Sequence, residues 1–86
     1  MINVKEDGSY EVKFAIRKDA ESVLDDLLSI INNYGEVTLA DLRGIIGEIA
    51  QFGEHKIKWI YLLRDFSINR VKNGYILNLP KPIQGE

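Results

Sequence analysis

Apolar side chains between Lys18 and Tyr34 recur with the period of an α-helix. The stripe consists of Ala20, Val23, Leu24, Leu27, Ile31 and Tyr34. Positions three and four residues apart lie on one face of a helix, so this spacing predicts a helix that is buried along that face. Gly35 follows at the position where a left-handed glycine commonly ends a helix. The segment is therefore predicted to be the main helix of the chain.

A second helical stripe follows, made of Leu39, Leu42, Ile45, Ile46 and Ile49. Thr38 suits the N-cap position, and Asp41 three residues later can complete a capping box. Gly44 and Gly47 weaken a helix by up to about 1 kcal/mol each relative to alanine. The helix is predicted either to stop at Gly47 or to continue to Phe52. A glycine that faces a neighbouring helix and permits close approach is the favoured explanation for this pair.

The first part of the chain changes to a period of two. Between Ser9 and Arg17, the apolar residues Tyr10, Val12, Phe14 and Ile16 alternate with Glu11, Lys13 and Ala15. Strict alternation is typical of a strand with one buried face. This strand could lie as a third strand against a hairpin near the other end of the chain, and the sequence leaves that pairing open.

That hairpin is predicted from two β-prone runs on either side of Asn73-Gly74. Asn-Gly readily adopts the two positive φ angles of a type I′ turn, which closes a two-residue hairpin loop. With these residues as the loop, Lys72 faces Tyr75 and Ile68 faces Leu79. One face of the hairpin then carries Phe66, Ile68, Leu77 and Leu79, and this apolar face requires helices to cover it.

Residues 54–65 fit two patterns. Ile57, Ile60, Tyr61 and Arg64 have helical spacing, whereas Lys56, Lys58, Ile60 and Leu62 alternate as in a strand. The prediction is a short helix or helical turn around Lys58–Leu63. Trp59 is expected to anchor the edge of the core, with its indole N–H bonded to an acceptor or to water.

These elements predict a single α+β domain over residues 1–86. Two main helices and a short third helical segment pack on a small antiparallel sheet with a C-terminal β-hairpin. Residues 1–8 and 81–86 are expected to be flexible or extended, because Pro80 and Pro82 end the last strand. The predicted core comprises Phe14, Leu24, Leu27, Ile31, Leu42, Ile45, Trp59, Phe66, Ile68, Leu77 and Leu79.

The composition provides few side chains that could form a catalytic or metal-binding site. The chain has no cysteine and one histidine, His55. Asp25 and Asp26 are adjacent, and neighbours on a helix point about 100° apart, so they are predicted to form a solvated face rather than a catalytic pair. The prediction is a non-enzymatic protein with no catalytic residue, metal or cofactor.

Two further features concern location. The N-terminus lacks the pattern of a signal peptide. No apolar run approaches the roughly 20 residues of a membrane-spanning helix. A cytoplasmic protein without a membrane partner is expected, and the oligomeric state stays open.

Charge is uneven along the chain and suggests an alternative function. The net charge is −2, yet residues 1–53 carry five basic and ten acidic side chains, whereas residues 54–86 carry six basic and three acidic. The order of elements also admits a winged helix, in which the Thr38 helix and residues 56–63 form the helix-turn-helix. The nucleic-acid contacts would then come from Lys56, Lys58, Arg64, Arg70 and Lys72. Because residues 56–63 are short and mostly apolar, an unidentified protein partner is favoured over nucleic acid.

Three stretches of the chain carry a resemblance. They are residues 20–27, residues 34–42 with Ile46-Gly47, and residues 70–82, which contain the patterns Tyr-Gly-x-Val-Thr-x-Ala-Asp-Leu and Arg-Val-x-x-Gly-Tyr-x-Leu-x-Leu-Pro. The chain resembles a group of small phage and prophage proteins of unassigned function. That group usually has Gly-Trp followed by Thr-Asp/Ser-Leu before the hairpin, where this chain has Lys58-Trp59-Ile60-Tyr61-Leu62. The resemblance implies a phage-type origin and fold, and it transfers no active site. Because no nucleophile–base pair, metal cluster or phosphate loop is visible in the sequence, the expected function is that of a non-enzymatic phage-type accessory protein that acts by protein–protein interaction.

Overall fold

The computed structural model describes residues 2–60 and 66–84, which form an α+β fold. The elements in order are β1 (Ile2–Val4), β2 (Tyr10–Phe14), α1 (Arg17–Tyr34), β3 (Glu36–Thr38), α2 (Leu39–Ile45), a 3₁₀ turn (Glu54–Lys56), β4 (Ile57–Ile60), β5 (Ser67–Val71), β6 (Gly74–Leu79) and β7 (Ile83–Gln84). The strands form two antiparallel sheets. Sheet A has the order β1-β2-β6-β5, and sheet B has the order β3-β4-β7. The predicted fold class is confirmed.

Helix α1 covers the segment predicted for it. Its buried residues are Ala20, Val23, Leu27 and Ile31, all on the predicted stripe. The prediction is wrong for Tyr34, the last residue of the helix, which is 79% exposed. The helix packs against β2, β3 and β6. Gly35 has a φ of 82°, and its N–H donates to the carbonyl oxygen of Ile31 at 2.7 Å, which ends the helix as expected.

Helix α2 begins with the predicted capping box. The Thr38 hydroxyl accepts from the backbone N–H of Asp41, and the Asp41 carboxylate accepts from the backbone N–H of Thr38, both at 3.0 Å. The two bonds satisfy backbone donors that a helix start otherwise leaves without a partner.

The end of α2 agrees with the shorter of the two predicted lengths. Gly47 has a φ of 83°, its N–H donates to Gly44, and the N–H of Glu48 donates to Arg43. This pair of bonds is a Schellman motif, which requires a left-handed residue at the Gly47 position. The close approach predicted for the two glycines is wrong, because a Cβ built at Gly44 or Gly47 meets no atom within 4 Å.

The predicted hairpin exists as β5 and β6, but its loop is Lys72-Asn73. Val71 pairs with Gly74 and Ile68 pairs with Leu77, so the predicted facing pairs are wrong by two residues. No residue other than glycine has a positive φ in the described ranges, which contradicts the type I′ turn. A shift of two residues preserves the alternation of side chains, so the predicted apolar face is still the face that contacts the core.

Gly74 has a different role from the one predicted. It is the first residue of β6, with a φ of 154°. A Cβ at this position would lie far inside van der Waals contact with the carbonyl oxygen of Phe14 on β2. Glycine therefore allows the backbones of β2 and β6 to approach closely at the first residue of β6.

The segment predicted as a short helix around Lys58–Leu63 is a strand over its first residues. The short third helical segment is the 3₁₀ turn at Glu54–Lys56, and β4 follows directly. Residues 61–63 lie outside the described part of the chain. Trp59 is fully buried, and its indole Nε1–H donates to the carbonyl oxygen of Pro80 at 2.6 Å.

The terminal segments also contain strands. Ile2–Val4 pairs with β2, where Ile2 lies opposite Val12. Ile83–Gln84 pairs with β4, beyond the two prolines that end β6. The single core lies between α1, α2 and the two sheets, and it includes every predicted core residue, either buried or packed against the buried cluster. It also includes six buried residues outside the predicted list: Tyr10, Val12, Ala20, Val23, Val37 and Leu39.

Two glycine substitutions test this description. Gly74→Ala should lower the free energy of unfolding by about 1–3 kcal/mol, because the new methyl group collides with backbone and one of the strands must move.

Gly44→Ala should raise the free energy of unfolding by up to about 1 kcal/mol, because this helical position has ordinary φ and open space around it. Urea denaturation of the two variants gives both values. A Gly74→Ala protein as stable as the wild type would contradict the close approach of β2 and β6.

Candidate protein-interaction site

The connection between α2 and the 3₁₀ turn carries two large apolar side chains in full contact with solvent. We call residues 46–53 the apolar loop. Ile49 is 89% exposed and Phe52 is 105% exposed, the two highest values among the exposed large hydrophobic residues. Single exposed apolar residues are ordinary on protein surfaces. Two of them three positions apart in one short loop make this loop the candidate site.

Arg43 connects the two ends of the apolar loop. Its Nε donates to both carboxylate oxygens of Glu54, at 2.7 and 2.9 Å, and its Nη1 donates to Glu48 at 2.6 Å. Glu54 is the only buried charged residue in the described ranges. Multiple charge-assisted bonds from one planar guanidinium fix direction as well as distance. The α2 end of the loop is thereby tied to the 3₁₀ turn.

The same carboxylate also holds the backbone of the loop. The backbone N–H of Gln51 donates to Oε1 of Glu54 at 2.9 Å, and the N–H of Glu54 donates to the carbonyl oxygen of Gln51 at 3.2 Å. Gly53 between them has a φ of 84°, the left-handed conformation that glycine adopts without strain. Phe52 therefore lies in a turn that is closed by two hydrogen bonds between Gln51 and Glu54.

The charges of this cluster are stable at neutral pH. The hydrogen bonds from Arg43 hold the pKa of Glu54 below its ordinary value of 4.5, although burial acts in the opposite direction. The hydrogen bonds with Glu54 raise the pKa of Arg43. Burial raises the pKa of Tyr10, and the negative charge of Glu54 contributes to the same shift. Both partners of the ion pair consequently stay ionised.

The residues proposed for nucleic-acid binding do not share one element or one sheet. Lys56 ends the 3₁₀ turn, and Lys58 lies on β4 of sheet B with its Nζ 3.4 Å from Glu36. Arg70 lies on β5 of sheet A, and Lys72 is in the hairpin loop. Arg64 lies outside the described residues. The winged-helix interpretation requires a recognition helix at residues 56–63. This prediction is wrong for residues 57–60, because they form a strand.

The remaining polar groups are dispersed. Asp25, Asp26 and His55 are exposed, and the described ranges contain no cluster of three residues that could hold a metal ion. A shallow cavity of about 210 Å³ lies on the outer face of sheet A, lined by Asn3, Glu11, Lys13 and Ile76. An antiparallel sheet commonly has one polar face in contact with water, and a shallow cavity on that face does not by itself indicate a ligand.

Sequence patterns missed the apolar loop because Ile49 continues the stripe of α2. A strict helical spacing gave it a place on the buried face, although the chain has already turned at Gly47. The signal that was available is the pair of glycines, Gly47 and Gly53, that encloses Ile49 and Phe52. Neither the Arg43–Glu54 pair nor its role in the loop follows from any local pattern, since the two residues are eleven positions apart.

Removing the guanidinium tests the role of this cluster. Arg43→Met should lower the free energy of unfolding by about 1–3 kcal/mol at pH 7, because it leaves the buried Glu54 carboxylate without its main donor. Glu54 has a lowered pKa in the folded protein, so its stabilising contribution is present above pH 4.5 and disappears as the pH falls through the folded pKa. The difference between variant and wild type should shrink over the same range.

Arg17→Met is the matched control. It removes an exposed i,i+4 pair with Glu21, in which the two side chains are 67% and 52% exposed. Exposed pairs contribute about 0–1 kcal/mol, so this variant should unfold close to wild type at every pH. Equal losses in the two arginine variants would contradict the structural role of Arg43.

Comparison with known proteins adds no assignment. The chain matches no family model, no curated protein and no solved structure. No helix in the described ranges is long and apolar enough to cross a membrane.

Proposed function

We propose that this protein acts by binding another protein, and that the apolar loop provides the central contacts. The observation that carries this proposal is the nearly full exposure of Ile49 and Phe52 on a loop whose two ends are joined by Arg43 and Glu54 and whose Gln51 backbone N–H is bonded to Glu54. Clustered exposed apolar side chains often mark protein interaction sites, and aromatic anchors are common at the centres of interfaces.

The fixed loop favours affinity. Binding costs free energy when side chains and loops lose freedom at the interface, and a loop that is already held loses less. The ion pair to Glu54, the bond to the Gln51 backbone and the Schellman motif at Gly47 each remove freedom from the loop before a partner arrives. The backbone on both sides of Phe52 is thus held before a partner arrives.

The size of the patch indicates the shape of the partner. A buried aromatic side chain covers roughly 150–250 Å², whereas a typical interface buries about 800 Å² on each protein. Two side chains are too few for a flat interface, but they suit insertion into an apolar pocket with polar contacts around it. We therefore propose a partner with a concave apolar pocket.

The proposal assigns no catalytic step, cofactor or metal to the chain. A phage-type accessory role is included in it and is supported by the resemblance of residues 20–27, 34–42 and 70–82 to small phage and prophage proteins of unassigned function. A cytoplasmic location is part of the same proposal. Because phages multiply inside bacteria, a bacterial lysate is the source in which to look for the partner.

Affinity capture with matched baits tests the proposal. The first bait is the wild type, the second carries Ile49→Ser with Phe52→Ser, and the control carries Ile16→Ser with Tyr34→Ser, two other exposed positions. A partner retained by the wild type and the control, and lost with the loop variant, is expected. Surface substitutions usually change stability by less than about 0.5 kcal/mol, so melting temperatures should stay similar.

Titration of the purified partner measures how much Phe52 contributes to the binding affinity. A single anchor residue at the centre of an interface contributes at least about 2 kcal/mol, so Phe52→Ser alone should weaken binding by about 30-fold or more. Retention of the same proteins by the loop variant and the wild type would contradict the assignment of this loop.

The alternative function is nucleic-acid binding through Lys56, Lys58, Arg64, Arg70 and Lys72. We expect short duplex DNA to bind no more tightly than non-specific complexes do, on the order of 10⁻⁴–10⁻⁶ M. Titrations at about 50 and 200 mM salt, with Arg70→Glu as the charge-reversal variant, measure this directly. Sub-micromolar binding that weakens with salt and with Arg70→Glu would favour the alternative.

A further inference from the structure

Within residues 2–60 and 66–84, the outer edge of β4 is covered by two residues of the chain itself. Gln84 lies opposite Ile57, and Ile83 lies opposite Lys58, in antiparallel register. Ile83 is 44% exposed, and Gln84 is also exposed. Strand β7 therefore buries little apolar surface and is held mainly by its backbone.

Such a short strand is weakly bound. The net contribution of one backbone hydrogen bond is similar to the entropic cost of ordering one residue, so two paired residues leave only a small surplus. Pro80, three residues before Ile83, is held more firmly, because the buried Trp59 donates to its carbonyl oxygen at 2.6 Å. Ile83 and Gln84 can thus leave β4 while the chain stays anchored at Pro80.

The chain's own segment uses only half of β4. Continuing the observed register places Pro82 opposite Trp59 and Lys81 opposite Ile60. Proline has no N–H with which to extend the ladder, and the described pairing ends at Ile83. The Lys81 side chain lies beside Gly8, between β1 and β2, so this segment places no apolar side chain opposite the half-buried Ile60. These two positions are where another strand can improve on β7.

We propose that β4 is a strand-addition site at which an extended segment of another polypeptide replaces β7. The incoming strand would run antiparallel to Ile57–Ile60 and place branched apolar residues opposite Lys58 and Ile60. The residue opposite Lys58 is already isoleucine in β7, which shows the kind of side chain this position accepts. Backbone pairing supplies affinity, and the alternate side chains supply selectivity. This inference rests on sheet B and is independent of the apolar loop.

Two labelled peptides test the site on the full-length protein. The first has the sequence of residues 80–86, Pro-Lys-Pro-Ile-Gln-Gly-Glu, and the second carries Lys81→Val with Pro82→Lys. Cross-strand apolar pairing at one or two positions predicts that the second peptide binds about 2- to 30-fold more tightly. Fluorescence anisotropy measures both affinities. Equal affinities, or no binding of the second peptide up to about 1 mM, would overturn the proposal.

A protein variant tests whether β7 competes for the same edge. In the Ile83→Pro variant, residue 83 cannot pair with β4 as it does in β7, so this variant should bind the second peptide more tightly than the wild type. The ratio of the two affinities should equal the reciprocal of the fraction of wild-type molecules in which β7 is detached. The bound peptide should shift the backbone amide resonances of Ile57–Ile60. Shifts confined to β1 or β5, the edges of sheet A, would show binding elsewhere and overturn the assignment, as would unchanged affinity in Ile83→Pro.

Discussion

The burial of Trp59 joins the two sheets, and the arrangement of the other elements depends on it. Its backbone belongs to β4 of sheet B, and its ring contacts Tyr10 of sheet A edge to face, with ring centres 5.4 Å apart. Its indole N–H bonds to Pro80, where the chain leaves sheet A to form β7. One side chain thus contributes apolar burial, an aromatic pair and a satisfied polar group between the sheets. An 86-residue chain has a small core, so few other residues can supply this connection.

The helices and the faces of the strands were predictable because they depend on periodicity within one segment. The stripe from Ala20 to Ile31 is buried as its spacing indicates, and Thr38 and Asp41 form the capping box that their separation allows. In the hairpin, the face of each residue follows from alternation alone, so the apolar face survives an error of two residues in the pairing. The pairing itself depends on contact with a third strand. The close approach of Gly74 to Phe14 gives the glycine a role that the Asn-Gly dipeptide does not reveal.

Residues 57–60 show where local patterns stop being informative. Their spacing fits a helix and a strand equally. They form a strand because β3 pairs with them on one side and β7 on the other, and because this strand places the Trp59 side chain in the core. Val37, the partner of Trp59 in β3, is buried for the same reason, although a three-residue strand leaves almost no sequence signal. The candidate loop is a similar case. Ile49 fits the helical stripe by spacing, yet the Schellman motif at Gly47 has already removed it from the helix.

The Arg43–Glu54 pair is better explained by geometry than by stability. Removing charges from water is costly, and buried ion pairs often contribute no more than apolar residues of similar volume. An apolar contact between the Schellman residues is the usual arrangement, whereas here Arg43 and Glu48 form an ion pair at that position. A guanidinium that bonds two carboxylates sets the distance and direction of both, which apolar packing does not. The polar cluster thereby fixes where Ile49 and Phe52 emerge from the surface, and a site that presents two apolar anchors to a partner requires that constancy of position.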